Sequence, residues 1–388
     1  MNIYIDFTHS VPDGDTKFHG GMNYTQKLLE LIIQESFIEK TFYILWPKGY
    51  HPTGEVEKVI RDTDVFKIIE VTRVDENFHF ENPAVLYFPL LKVRAWEIAK
   101  QIKNKFPEIK IYITVHGLRL LDLKMDKYHG FYNGGLGYSV LGLESVKDLA
   151  GKIIYKKLIK KNILYFDKVF TVSNYSLQQI IKAGNPKYIN YYYQGITIVD
   201  DPLKHRFTEE FILFVSGNRP VKNLIRALEA FCKFKIKTDN QIFMFVTGIN
   251  KQSKDNILRY FKPSDKKLIA SWVKFYDYVE IDLLSDLYRQ CKFLLFTSLS
   301  EGFGLPVIEA MFYGRPVVAS NVTSIPEVGG SAVYYVNPYD VESIEKGIYF
   351  MNKPENIKKY EELTNKRILI LKDLIKQDNE ALINEILN

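Results

Sequence analysis

From residue 211 onward the chain alternates short apolar runs with helical segments, and this regularity limits its possible folds more than any other feature. Strand-like runs stand at 211–216, 242–247, 273–276, 292–298, 316–319 and 332–336. Between them lie segments such as 222–236 and 282–291, whose apolar residues recur with helical spacing. Strands separated by helices pair in parallel, with helices covering both faces of the sheet. The first half repeats the pattern less cleanly, at 2–7, 41–46, 66–71, 84–90, 109–115 and 168–173. The expectation is an α/β chain of two doubly wound, Rossmann-like domains, 1–200 and 201–365, followed by a C-terminal helix over 366–388. Asp200, Asp201 and Pro202 interrupt the apolar text between Gly195 and Phe211 and mark the break. The stretch 118–150, with Gly130, Gly134, Gly135 and Gly137, reads as a long loop.

Composition narrows the class further. The chain has 388 residues, 46% of them hydrophobic and 25% charged, which suits packed cores and argues against disorder. Residues Ile3, Ile5 and Phe7 alternate like a strand, so the start is not read as a signal peptide, and no run reaches the ~18 apolar residues of a membrane span. Cys232 and Cys291 are expected as small core residues without a disulfide. A cytoplasmic location follows as an expectation. The net charge of +6 favours anionic partners, among them nucleotide sugars and lipid phosphates. No helix-turn-helix, zinc-finger or RNP-type text points to nucleic acid. Residues 152–161 carry Lys152, Lys156, Lys157, Lys160 and Lys161 without an acid. Lys152, Lys156 and Lys160 are expected along one helix face and Ile154 with Leu158 along another. Such a helix is either a solvated face or a surface that meets anionic lipid headgroups.

Ligands of open α/β sheets bind beyond the carboxyl ends of the strands, so residues just after strands are the candidate site. Residues 300–330 are the richest such segment. Glu301 and Glu309 stand eight apart around Gly302-Phe303-Gly304-Leu305, where a tight turn leads into a helix whose N-terminus suits a phosphate or sugar hydroxyl. After the run 211–216 come Gly217, Asn218, Arg219 and Lys222, two cations near a helix start that can neutralise a diphosphate. His116 ends the run 109–115 and is expected at the site. Gly20 and Gly21 open a helix after the first strand, Tyr278 and Val279 follow another, and Ser173 and Asn174 read as helix caps.

The Glu301–Glu309 spacing and its flanking text resemble the E-x7-E pattern of family 4 retaining glycosyltransferases, which have the GT-B fold of two Rossmann-like domains facing a central cleft. Residues 170–176 and 192–196 also resemble stretches of that family, the latter with Gln194 where asparagine is commoner. The resemblance implies a retaining, metal-independent hexosyltransferase with an N-terminal acceptor domain and a C-terminal nucleotide-sugar domain. It assigns Glu301 and the Gly302–Gly304 backbone to the donor sugar and diphosphate, and Glu309 to the ribose. Arg219 and Lys222 fall to the diphosphate, although only two residues separate them where many members have four or five. His116 falls to the transferred sugar, Gly20 and Gly21 to the donor phosphates, and Tyr278 and Val279 to the base. The implied partners are a UDP- or GDP-linked sugar and a glycan or lipid-linked acceptor in cell-surface polysaccharide synthesis. No cofactor is called for, since the Gly-x-Gly-x-x-Gly and Walker loops are missing, and no Asp-x-Asp or Cys/His cluster calls for a metal. A non-catalytic GT-B partner subunit, a GT-B sugar-nucleotide epimerase and a phosphorylase remain open alternatives.

Overall fold

The computed structural model describes residues 1–10, 20–34, 40–50, 65–91, 93–123, 128, 132, 143–196, 198 and 201–388. These divide into two compact units. The first comprises Met1–Leu121, Gly151–Thr197 and Asp373–Asn388, and the second Asp122–Ala150 and Ile198–Lys372.

The first unit is built on seven strands: β1 (Asn2–Asp6), β2 (Thr41–Pro47), β3 (Phe66–Val71), β4 (Ala84–Phe88), β5 (Lys110–Val115), β6 (Lys168–Thr171) and β7 (Ile189–Tyr191). Their order is β3-β2-β1-β4-β5-β6-β7, and every pair is parallel. Burial follows from that order. Central β4 is buried at all five positions, whereas edge strand β3 exposes Lys67, Ile68 and Glu70. Helices cover the sheet, and Trp96 and Phe166 pack with Phe88 and Ile111 in one core.

Six strands form the second unit: β8 (Phe211–Phe214), β9 (Phe243–Val246), β10 (Val273–Phe275), β11 (Phe293–Phe296), β12 (Val317–Ser320) and β13 (Val333–Val336). The order β10-β9-β8-β11-β12-β13 is again wholly parallel. β8, β11 and β12 are buried throughout, which explains why each reads as a continuous apolar run rather than an alternating one. Both sheets are Rossmann-like, and the expected α/β class and strand positions hold.

Four details differ from the sequence reading. Residues 119–122 are helical and a long helix begins at Leu143, so 118–150 is not one loop; most of 124–142 lies outside the described residues. The helix expected from 222 begins at Leu224, because Asn223 adopts a left-handed conformation (φ 68°) after a 3-10 turn over Pro220–Lys222. β7 went unrecognised, being three residues long and only partly buried. The terminal helix is one 34-residue element, Pro354–Leu387, since nothing after Pro354 breaks it. Its last turns group with the first unit, where Glu385 accepts from Lys168 (2.8 Å) and Tyr188 (2.7 Å) and Asp378 accepts from the Tyr193 amide (2.8 Å).

Gly347 shows how closely the second core is packed. It lies in the helix Val341–Met351, and a methyl group there would come within 2.7 Å of Val336 Cγ1 and 2.9 Å of Val318 Cγ1. Alanine would gain ~1 kcal/mol in helix propensity. Overpacking costs ~1–3 kcal/mol and should win. Gly347→Ala is therefore expected to lower the urea midpoint, and a midpoint at or above that of the native protein would contradict this packing.

Candidate active site

In each sheet the direction of strand succession reverses once, and ligand crevices form beyond the carboxyl ends at that switch point. In the second unit the reversal lies between β8 and β11. The loops that follow these two strands carry Gly217–Asn223 and Thr297–Gly304. They are stitched together: the Leu299 amide donates to Val221 O (2.8 Å), Thr297 Oγ1 to Lys222 O (3.2 Å), and Asn223 Nδ2 to Thr297 O (3.2 Å). A third loop, after β12, closes the arrangement. Thr323 Oγ1 accepts from the Glu301 amide (3.1 Å), and Ser324 Oγ lies 3.0 Å from the carbonyls of both Glu301 and Phe303.

Within this frame Lys222 Nζ donates to Glu301 Oε1 at 2.6 Å, and Ser298 Oγ donates to the same oxygen. The two charged side chains are only 5% and 10% exposed, so the pair is held in a largely dry setting. Lys222 also sits 4.6 Å over the Phe296 ring. Gly304 makes the tight turn possible. Its φ of +105° is one that side-chain-bearing residues rarely adopt, and it places the helix Leu305–Phe312 directly after the Glu301–Phe303 turn.

Glu309 lies on that helix and accepts from the Tyr288 hydroxyl at 2.7 Å. Burial pushes the Glu309 carboxyl above its ordinary range, and the Tyr288 bond and nearby Lys222 offset this only in part. Tyr288 is fully buried and its phenol is pushed well up by that burial, so it remains a donor. Asn218 and Arg219 are exposed beside the same loop, while the Gly217 and Asn218 amides are spent on Thr247 O (2.8 Å) and Gly248 O (2.9 Å). Tyr278, 37% exposed, and Val279 follow β10 on an irregular segment. The second unit thus brings together Lys222, Glu301, Gly302, Phe303, Gly304 and Leu305, with Glu309 about one helical turn further on.

The remaining candidates belong to the first unit. Gly20 and Gly21 start the helix Gly20–Gln34. His116 follows β5, and its Nε2 lies 2.9 Å from Pro89 O. A carbonyl only accepts, so Nε2 carries the proton and spends it inside the protein. The expected hydrogen bond from His116 to a sugar therefore cannot come from Nε2 in this arrangement. Tyr24 packs edge-on against the same ring at 4.6 Å. Ser173 caps the helix Asn174–Ala183, as its Oγ accepts from the Ser176 amide at 3.1 Å, whereas Asn174 is the first helical residue and not a cap.

Sequence reasoning missed Ser298, Thr323, Ser324 and Tyr288, which hold the glutamates. Their signal is faint, because a serine or tyrosine carries no spacing rule until the strands are in register. It also missed Asp6, the last residue of β1, and His9 just beyond it, although Asp-x-x-His at the end of an apolar strand is visible in the text.

Glu309 supplies a test with a definite sign. Its raised pKa means that the folded chain holds this proton to higher pH than the unfolded chain. The stability it contributes is therefore complete in acid and is lost as pH rises through the elevated value. Glu309→Gln, which stays neutral and still accepts from Tyr288, should raise the melting temperature at pH 8 and change it less at pH 4. An unchanged or lower melting temperature at pH 8 would contradict the reading.

Residues 197–367 match the family model described as Glycosyl transferases group 1. The chain is 32% identical over 138 residues to O-antigen chain mannosyltransferase B of Escherichia coli, an alignment that covers 36% of this chain and 35% of that protein. Three serotype-specific mannosyltransferases of the same organism are covered over only 17% of their length, so the chain spans between about a sixth and a third of these relatives. Over its whole length the fold resembles sucrose-phosphate synthase from Thermosynechococcus elongatus, with a TM-score of 0.68, 15% identity and 99% of that chain covered. It also resembles HepE of Anabaena, solved with UDP and glucose, with a TM-score of 0.62, 12% identity and 100% and 99% of the two chains covered. Lys222, Glu301 and Glu309 thus fall within the stretch that matches the glycosyl transferases group 1 model.

Proposed function

We propose that the chain is a retaining, metal-independent glycosyltransferase that moves a hexose from a UDP- or GDP-linked donor to a glycan or lipid-linked acceptor in cell-surface polysaccharide synthesis. The observation that carries this reading is the buried Lys222–Glu301 contact at the switch point of a domain matching the group 1 family model. The names of the E. coli relatives make mannose the first sugar to test.

Each residue then has a task. Glu301 orients the sugar hydroxyls, while Lys222, Arg219 and the amides at the helix start after Gly304 stabilise the departing diphosphate. Such groups act by being held in place before charge develops. Glu309 receives the ribose, which offers hydroxyl protons to a carboxyl that burial pushes above its ordinary range. Gly217, Asn218, Gly302, Phe303 and Leu305 complete the donor cradle of the second unit, and Tyr278 and Val279 meet the base through their backbone. With Nε2 of His116 engaged by Pro89, this residue serves the sugar through its main-chain carbonyl.

The acceptor side works at the cytoplasmic face of an anionic membrane. The helix Leu143–Asn162 supports this part of the reading, because Lys156, Lys157, Lys160 and Lys161 are all exposed, together with Ile153 (47%) and Ile154 (66%). Leu158 instead packs on the core, so Ile154 and Leu158 do not share one environment, and Lys152 is only partly exposed. No helix among the described residues is long and apolar enough to cross a membrane.

Two measurements test the proposal. Arg219→Ala should lower turnover by ~10²-fold, the scale of losing one preorganised stabiliser, with full activity of the native protein in excess EDTA. Near-native turnover of the variant, or activity lost in EDTA and restored by magnesium, would refute the assignment. Vesicle co-sedimentation should show binding to anionic but not neutral vesicles, weakening as salt rises. Equal binding to both, or no effect of replacing Lys156, Lys157, Lys160 and Lys161 with Glu, would refute the membrane role.

A further inference from the structure

The first sheet has its own switch point, between β1 and β4, and a buried acid–histidine pair occupies it. Asp6 ends β1 and is fully buried, and His9, 7% exposed, packs edge-on against Phe88, the last residue of β4. Asp6 is completely engaged. Its Oδ1 accepts from the Thr8 amide (3.0 Å) and hydroxyl (2.6 Å), and its Oδ2 faces His9 Nδ1 in close contact. A carboxylate there accepts the proton carried on Nδ1, which leaves Nε2 as the ring nitrogen not engaged by Asp6. No described residue hydrogen-bonds that nitrogen. His116, beyond neighbouring β5, has the opposite tautomer, because its Nε2 faces the Pro89 carbonyl.

We infer that His9 Nε2 binds a hydroxyl of the acceptor, and that Asp6 is the positioning residue that fixes its tautomer. The chemistry selects the ligand. A hydroxyl both donates and accepts, so it can pair with this ring nitrogen, whereas the carboxylate directly behind the ring disfavours the negatively charged oxygens of a phosphate. The cations proposed for the diphosphate, Arg219 and Lys222, belong to the second unit. What the switch point of the first sheet offers is therefore suited to the other substrate, a sugar or polyol hydroxyl. Asp6 and His9 also have a purely structural reading, in which they pin the turn after β1. That reading leaves the second ring nitrogen without a task.

The inference rests on the glycosyltransferase reading, and its test separates the two. The full chain is screened with UDP-glucose, UDP-N-acetylglucosamine and GDP-mannose against methyl glycosides and short mannosides, and the most active pair is carried forward. His9→Ala should raise the acceptor KM by roughly tenfold or more, the scale of one lost hydrogen bond, with the donor KM within about twofold of native. His9→Gln, which offers an amide oxygen near the position of Nε2, should recover part of that loss. Nitrogen-15 NMR of histidine-labelled protein should place the His9 proton on Nδ1, and saturating acceptor should shift Nε2. An unchanged acceptor KM in both variants, equal loss for both substrates, or a His9 proton on Nε2 would overturn the inference while leaving the transferase reading intact. Failure of the native chain to transfer with any pair would overturn both.

Discussion

The contact between Lys222 and Glu301 is the constraint on which the rest of the second unit depends. Charges as little exposed as these are tolerated only when paired and further hydrogen-bonded, since removing one partner leaves a buried charge at a cost of ~3–5 kcal/mol. The pairing requires the loops after β8 and β11 to meet, which in turn requires β8 and β11 to be neighbours in the sheet. Ser298, Thr323 and Ser324 then fix the glutamate's backbone and carboxylate, and Gly304 lets the chain turn at once into a helix. An acid and a base are thereby held ready at one point, aligned by the sheet rather than by their own flexibility. That is the physical basis of preorganised stabilisation.

Glu309 complements this pair in energetic terms. Lys222 and Glu301 satisfy each other, whereas Glu309 accepts from the Tyr288 hydroxyl and has its carboxyl pushed up by burial. Holding a carboxyl in this way costs stability, a trade common at functional sites. The first unit repeats the architecture with different chemistry. Its switch point carries a carboxylate and a histidine in place of a carboxylate and a lysine.

The fold was legible in the sequence because parallel strands buried on both faces appear as uninterrupted apolar runs. Phe293–Phe296 and Phe211–Phe214 are of this kind. β7 was not legible, being three residues at an edge with no face fully buried. The glycine and glutamate positions of the site were legible because their spacing along the chain is itself the constraint. Its supports were not, since Thr323 meets Glu301 across 22 residues and Tyr288 meets Glu309 across 21, distances that only the folded sheet brings together. His116 was placed correctly after its strand, but spacing along the chain cannot show that Pro89 takes its proton.

The proposed reaction transfers a sugar with its anomeric configuration kept, through the groups gathered after β8 and β11. Proton NMR of the reaction as it proceeds, with an α-linked nucleotide sugar such as GDP-mannose, tests this most directly. A retaining transfer gives an α-glycoside as the first product signal, appearing together with free nucleoside diphosphate. A β-linked first product, or a donor consumed without any glycoside formed, would contradict it.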